Sequence, residues 1–289
     1  MVEDASDGRL ILDTKINMFK DGEVPLAVRD GRADAGRFHP AFISGTFPLW
    51  DYLTLPFVFD HIYQFERARH DSRLRAIYDE SYGEQGLVQL VEFACDGNVG
   101  VWAKKPITKV EDFQGVKIRA MGIIASLQIR TLGGSPLTIG ITEVADAMLK
   151  GTIDAALSDR SAALGFGFAD AATYFNRWNW VVGTHDSIVI NKETFDALPD
   201  DLQDVLMNVS DRMASINNFT VAFSGPLTEQ AIAARGLEVL IVEKEELAKA
   251  EELVKETVAQ EWINLEGVGA DGAQVLEILA EYRAQYQVK

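Results

Sequence analysis

The sequence predicts an α/β fold of two interleaved lobes, and three observations carry that prediction. Strand-like and helix-like stretches alternate over much of the chain, the mark of largely parallel sheets covered by helices. A helical pattern then runs from Leu198-Pro199-Asp200-Asp201 to about Arg235; at 1.5 Å per residue it spans roughly 50 Å, too long for one small lobe. Finally, Glu23 to Ala35 aligns without gaps on Glu143 to Ala155, with the Glu, Val, Ala, Gly, Asp and Ala positions identical. An internal echo of this kind points to two similar units.

Taken in order, Leu10, Leu12, Thr14, Ile16 and Met18 alternate with polar residues and predict a strand over 10–18. A short helix is expected at about 22–30, with Asp21 as N-cap, Pro25 in the first turn and Gly31 just past its end. Strands follow at Ala33 to Phe38 and, after a helix over 61–81, at Leu87 to Ala94. Val99 to Lys104, Val116 to Arg119 and Pro136 to Ile139 read as further short strands. Pro199, Asp200 and Asp201 suit the first turn of the long helix, and Gly225-Pro226 should kink it. Two helices, about 244–264 and 271–286, close the chain. No flexible linker separates independent domains, so the chain must cross back and forth between its lobes.

Each copy of the echo reads as helix, glycine, strand. Ligands in open α/β sheets sit beyond the carboxyl ends of strands. There the two copies place Arg37-Phe38-His39 and Ser158-Asp159-Arg160, both more polar than a structural junction requires.

The chain has 289 residues with a formal net charge of −17. A surface this acidic repels phosphate backbones and anionic lipid, which excludes nucleic-acid and membrane-surface binding as expected functions. An acidic protein that captures an anion must use a few local cations. No apolar run reaches the roughly 18 residues of a membrane span. The start, Val2-Glu-Asp-Ala-Ser-Asp-Gly-Arg9, is acidic and polar, unlike a signal peptide, and taken alone fits the cytoplasm.

Signals for catalysis are sparse. There is no Gly-x-Ser-x-Gly elbow, His-Glu-x-x-His motif or Walker loop. His39, His61, His70 and His185 show no ligand spacing, and His61 and His70 fall in a polar helix where solvent is their expected partner. The single Cys95 excludes an internal disulfide and a multi-thiolate metal site. No metal or cofactor is expected. Cys95 follows an apolar strand and reads as an inert buried thiol; the alternative is a nucleophile paired with His39 or His185. Trp102, following the polar stretch Asp96-Gly97-Asn98, has a better claim than the other aromatics to line a pocket.

Several collinear motifs resemble those of the TRAP-transporter solute-binding proteins, the DctP-type family. Asp112-Phe-Gln-Gly115-Val-Lys-Ile-Arg119 is similar to its D-x-x-G-x-K-I/L-R segment. Leu132-Gly-Gly-Ser-Pro136 through Thr142-Glu143-Val144 resembles its L-G-A-x-P…S/T-E-V/L stretch, and Ala147 to Ala155 its A-L-x-x-G-x-V-D-G. Asn191 to Gln203 resembles N-K-x-x-F-x-x-L-P-x-D-x-Q, and Leu55-Pro-Phe-Val-Phe59 looks like L-P-F-L-F. Together they cover nearly the whole chain.

The resemblance implies a two-lobed, periplasmic-binding-protein-like clamp of type II character, non-enzymatic and periplasmic, that hands an organic acid to TRAP permease subunits. It implies that Arg119 grips the ligand carboxylate with its fork. A guanidinium matches a carboxylate at two points, most strongly where water is excluded. On the residues alone, Arg119 reads first as a surface arginine at a strand end. The family's other pocket positions fall on Asp21, Phe38, His39, Met121, Ile141, Ser158 and His185. Its frequent second arginine falls at about Val99, so Arg37 or Arg160 is expected to assist Arg119, with Asp159 and the histidines taking the remaining polar groups. Members begin with a signal peptide, then a strand and a long helix before the segment matched by Gly8-Arg9-Leu10; the resemblance therefore implies that the first lobe lacks that strand and helix here. The expected lobes are 1–96 plus 186–225 and 97–185 plus 226–289. An enzyme acting on a small acid through Cys95, His39 or His185, and a ligand-sensing module, are the rival readings.

Overall fold

Two sheets organise the chain, and the backbone passes between them several times. The structure is a computed structural model that describes residues 1–95, 99–181 and 184–287, the side chains of Ala163 and Leu164 excepted. The first half runs α1 (Val2–Ala5), α2 (Val24–Arg29), β1 (Ala35–Phe38), α3 (Ile62–Ala68), α4 (Ser72–Glu84), β2 (Leu87–Ala94) and β3 (Val99–Ala103). Next come β4 (Lys117–Arg119), α5 (Gly122–Thr131), β5 (Ser135–Leu137), α6 (Val144–Leu149), β6 (Ala155–Asp159), α7 (Ala162–Gly165), α8 (Phe168–Ala171) and β7 (Tyr174–Arg177). The chain ends with β8 (His185–Asn191), α9 (Lys192–Asp196), α10 (Asp200–Ala234), β9 (Glu238–Ile241), α11 (Lys244–Ile263) and α12 (Gly269–Gln285).

Among the described residues one sheet has the order β1-β8-β2 and the other β5-β4-β6-β3-β7-β9. The chain therefore changes sheet between β2 and β3, returns between β7 and β8, and crosses again through α10. The expected parallel pairing holds for β4 with β5 and β6, and for β7 with β9. It fails around β3 and β8, each antiparallel to both of its neighbours. Both strands follow a crossover from the other sheet and run against their neighbours, whereas β9, reached through the long α10, runs parallel to β7.

The echo is structural. Both copies open with a 3-10 turn, Asp21–Glu23 and Ile141–Glu143, before α2 and α6. Each helix is left through a glycine with positive φ, +69° at Gly31 and +75° at Gly151. In each the amide three past the helix reaches back to the equivalent carbonyl, Arg32 to Ala27 and Thr152 to Ala147, both at 2.9 Å. This is a Schellman cap, which needs a residue that accepts the left-handed conformation.

Three further expectations fail. Residues 10–18 form no strand, and Ile11, Leu12, Ile16 and Met18 lie exposed. Alternation makes a strand only where a neighbour accepts its hydrogen bonds, and none is offered among the described residues. The helix over 61–81 is two helices, broken at Arg69–Asp71, because Asp71 caps α4 by accepting from the Arg73 amide. His61, expected in solvent, is half-buried and shares a hydrogen bond with the Tyr286 carbonyl at 2.9 Å.

The long helix is as expected: α10 runs 35 residues and passes through Pro226 without ending. It packs along β2 and on α3. An aromatic stack of half-buried Phe47 and buried Trp50 and Tyr82, with successive ring centroids 4.2 Å apart, lies beside the three-stranded sheet. Trp178, Trp180 and Phe113 form a second cluster, with the two indoles 4.7 Å apart. Helix α11 packs on α5, while α12 returns to α3 and α4.

Candidate ligand-binding site

Arg119 ends β4, which lies between β5 and β6, so carbonyls from both neighbouring segments reach its side chain. The Nε–H donates to the Ile139 carbonyl at 3.1 Å and Nη1 to that of Leu157 at 3.0 Å. Nη2 has no hydrogen-bond partner among the described residues, although the side chain is 0% exposed. Burial pulls the guanidinium down to about 10, opposed by the charge of Asp159. Two carbonyls thus fix the fork, and nothing offsets its charge at hydrogen-bonding distance. A buried cation without a close counterion is costly, and such a group persists where an anion is to be received.

Further buried polar atoms without partners lie at the ends of β1 and β8, where the Arg119 charge reaches His39. The Nδ1 of His39 accepts from the Ala41 amide at 3.2 Å, which leaves its proton on Nε2, a buried donor without a partner among the described residues. Burial, His185 and the Arg37 and Arg119 charges hold His39 well below its ordinary value, so the ring is neutral. His185 donates through Nε2 to the Trp50 carbonyl at 3.2 Å, and its Nδ1 is a buried acceptor without a partner. Its pKa is pushed down to about 3 by burial. The two imidazole centroids lie 6.5 Å apart. His39, within reach of the Arg119 charge, and His185 beside it offer one donor and one acceptor without adding charge.

Residues 1–264 match bacterial extracellular solute-binding protein family 7, the DctP family. The chain belongs to that family. A solute-binding protein of Sulfitobacter sp. is 23% identical over 215 residues, which are 73% of this chain and 64% of that protein. The monocarboxylate 2-oxoacid-binding periplasmic protein of Nostoc sp. is 26% identical over 216 residues, 71% of this chain and 57% of that one. The chain spans between 39% and 64% of the length of the first curated relatives it matches. Among solved structures, a Bordetella pertussis extracytoplasmic solute receptor binding pyroglutamic acid superposes with a TM-score of 0.86 at 22% identity, over 96% of this chain and 91% of that one. A TRAP periplasmic solute-binding protein from Desulfovibrio desulfuricans, with bound sn-glycerol-3-phosphate, gives 0.89 at 20% identity over 100% and 91%. One from Rhodoferax ferrireducens with bound malonate gives 0.87 at 19% over 98% and 90%. These solved structures carry the two-lobed fold; their ligands remain their own.

The other expected site residues of this family 7 protein separate into three groups. Ser158 is buried beside Arg119 on β6, with its Oγ unpartnered. Met121, buried, and Ile141, half-buried, stand at the starts of α5 and of the second 3-10 turn. Phe38 and Trp102 are both wholly buried: Phe38 meets Trp50 edge-on at 6.1 Å, and Trp102 packs on Phe168 and Phe175. The Trp102 indole N–H donates to the Asp159 carbonyl at 3.1 Å, so it supports the 158–160 loop from the core side. The crossover 96–98 that made Trp102 a candidate lies outside the described residues.

The two arginines expected to assist Arg119 are engaged elsewhere. Arg37 pairs with Asp186 at 2.5 Å and Asp21 at 2.9 Å. Arg160 shares Glu229 of α10 with Arg177, at 3.4 and 3.2 Å. It fits there only because α10 has a glycine at that point: a Cβ on Gly225 would stand 2.1 Å from Nη1 of Arg160. The Asp159 carboxylate accepts from Ser161 Oγ and the Ala162 amide and so caps α7. Cys95 is half-buried, and burial with Asp186 and Asp159 raises its thiol well above the ordinary value, the opposite of an activated nucleophile.

Sequence reasoning missed Asp186, Ser44 and Gly122. Gly122 has φ +72°, and a Cβ there would meet the Ala41 carbonyl at 2.6 Å. Ser44 Oγ ties the same place together, donating to Ala41 and accepting from the Ile123 amide at 3.1 Å. The start of α5 thus rests on the segment that carries His39. Gly122→Ala should cost about 2–4 kcal/mol, since the residue would be both strained in φ and overpacked against backbone. Urea unfolding checks this, and an unchanged midpoint contradicts the contact.

Proposed function

We propose that this family 7 protein captures a small organic acid between its two sheets, with the acid's carboxylate on Arg119. The supporting observation is the buried guanidinium held by two carbonyls with Nη2 unpartnered. A carboxylate there would complete the fork and supply the absent counter-charge. His39 Nε2–H, Ser158 Oγ and His185 Nδ1 are among the other buried polar atoms without partners in the described residues around it. They would take the acid's remaining oxygen or nitrogen groups, since unmet polar atoms reject a ligand that cannot satisfy them.

The proposed lobes are 1–96 plus 186–225 and 97–185 plus 226–289, with His185 going to the first as the opening residue of β8 and α12 leaning back on it through α3 and α4. Contacts that both lobes make to one ligand would favour the closed arrangement, and that closed form would dock on TRAP permease subunits from the periplasm. The mixed set of donors and acceptors beside one unpaired cation favours a monoacid with a polar second group over a plain dicarboxylate.

A thermal-shift screen of hydroxy, oxo and cyclic amino acids against simple dicarboxylates tests the reading, because a ligand that binds only the native state stabilises by RT ln(1 + [L]/Kd). A monoacid should raise the melting temperature further than malonate or succinate. Shifts from neutral sugars alone would overturn the reading.

A further inference from the structure

The register of the three-stranded sheet gathers three unlike side chains at one of its ends. Strand β8 begins at His185, which pairs with Ala94 of β2, while Asp186 pairs with Phe93, and Ser187 pairs with Phe38 of β1. Cys95 follows Ala94 and His39 follows Phe38, so both chains turn away beside the start of β8. A ring nitrogen of His39, Sγ of Cys95 and a carboxylate oxygen of Asp186 all lie within 4.8 Å of one another. Asp186 gives only one oxygen to Arg37: Oδ2 accepts at 2.6 Å from Nε, while Oδ1 is buried without a partner. His39 Nε2 is likewise buried without one. His39 and Asp186 are 6% and 4% exposed, and Cys95 is half-buried.

We propose that His39, Cys95 and Asp186 form a binding site for a borderline-soft divalent transition-metal cation, with Zn2+ as the probe. Imidazole, thiolate and carboxylate together suit zinc or cobalt, whereas calcium and magnesium take oxygen ligands. Tetrahedral ligands at zinc distances of about 2.0–2.3 Å stand roughly 3.5 Å apart, so the three groups draw together by up to about 1.3 Å. Three protein ligands leave a fourth position for water. The Arg37 guanidinium orients Asp186 from behind, as partners of metal-binding carboxylates do. Ligation through Nε2 puts the ring proton on Nδ1, so it breaks the 3.2 Å bond that His39 accepts from Ala41 and takes the place of the Nε2–H donor offered to the acid, a small loss beside a metal–imidazole bond. Sequence spacing hid the site because its residues are far apart in the chain and carry one cysteine.

The proposal goes beyond acid capture and is measured with no acid present, so its failure leaves the role of Arg119 untouched. The full chain, stripped with chelator, is titrated with Co2+ and then Zn2+. A near-ultraviolet thiolate-to-cobalt band should grow to one ion per chain and vanish when Zn2+ displaces it. Cys95→Ser should abolish the band, and Asp186→Asn should keep it while weakening Co2+ by at least about tenfold. Circular dichroism confirms that each variant is folded. A titration of the wild-type chain without the band, or a band that survives in folded Cys95→Ser, overturns the proposal. Should Cys95→Ser fail to fold, an Asp186→Asn variant binding Co2+ as tightly as the wild type overturns it instead.

Discussion

Arg119→Met should cost about 2–5 kcal/mol of acid affinity, between roughly 30-fold and several-thousand-fold, because truncating one partner of a buried charged pair strands the other. Stability should move little by comparison. The wild-type cation is buried without a close counter-charge, so its removal relieves a desolvation cost, while the Ile139 and Leu157 carbonyls lose a donor each. These opposing effects should leave the unfolding free energy within about 1 kcal/mol of wild type. Arg119→Lys should not restore binding, since an ammonium cannot reach two carbonyls and a carboxylate with the geometry of a fork. Calorimetry with the acid found by screening reads the affinity. A Met variant that binds with unchanged affinity removes Arg119 from the site.

The second large effect lies away from the site, where Arg69 joins α3 to α10. Its guanidinium donates to both oxygens of Glu66, at 2.8 and 3.0 Å, and to Asp211 and Ser215 of α10 at 2.7 and 2.8 Å. Arg69→Met should destabilise by about 3–5 kcal/mol, because Glu66 would be left buried without its cation. The loss should depend on pH. Burial alone would raise the Glu66 carboxyl, but hydrogen bonds from Arg69, Asn218 and Ser215 outweigh it and lower the group from 4.5 to about 2. A carboxyl depressed on folding stabilises above its unfolded value and loses that contribution as pH falls through the folded one. About 2–3 kcal/mol should therefore disappear between pH ~4.5 and ~2 in the wild type. Urea unfolding of both chains at pH 7 and pH 3 should show the gap narrowing at the lower pH; a constant gap contradicts the assignment.

What was legible in the sequence follows from how local the physics is. The echo could be read because a Schellman cap is set by one glycine and its immediate neighbours, and Gly31 and Gly151 both take the positive φ it needs. The long helix was legible because its pattern persists over many turns, and it continues through Pro226. Residues 10–18 show the limit. Their alternation is genuine, yet a strand depends on hydrogen bonds from a neighbour that no local pattern specifies. Strand β8 was missed for the opposite reason. Its first residues, His185, Asp186 and Ser187, are polar by type and buried in fact, so neither alternation nor hydropathy marks them.

The site divides in the same way. Arg119 emerged from a family motif; its physical distinction, a buried fork with one nitrogen unpartnered, depends on carbonyls of Ile139 and Leu157 that are distant in sequence. Arg37 and Arg160 looked like equal candidates as residue types. Only the partners Asp186, Asp21 and Glu229 distinguish them from Arg119. The grouping of His39, Cys95 and Asp186 depends on strand register, which sequence spacing does not reveal.

The most direct measurement is a crystal structure of the protein saturated with the acid that stabilises it most. The account predicts a carboxylate oxygen within hydrogen-bonding distance of Arg119 Nη2, with further ligand atoms on His39 and Ser158. An acid bound elsewhere, with Arg119 still held only by the Ile139 and Leu157 carbonyls, would contradict it.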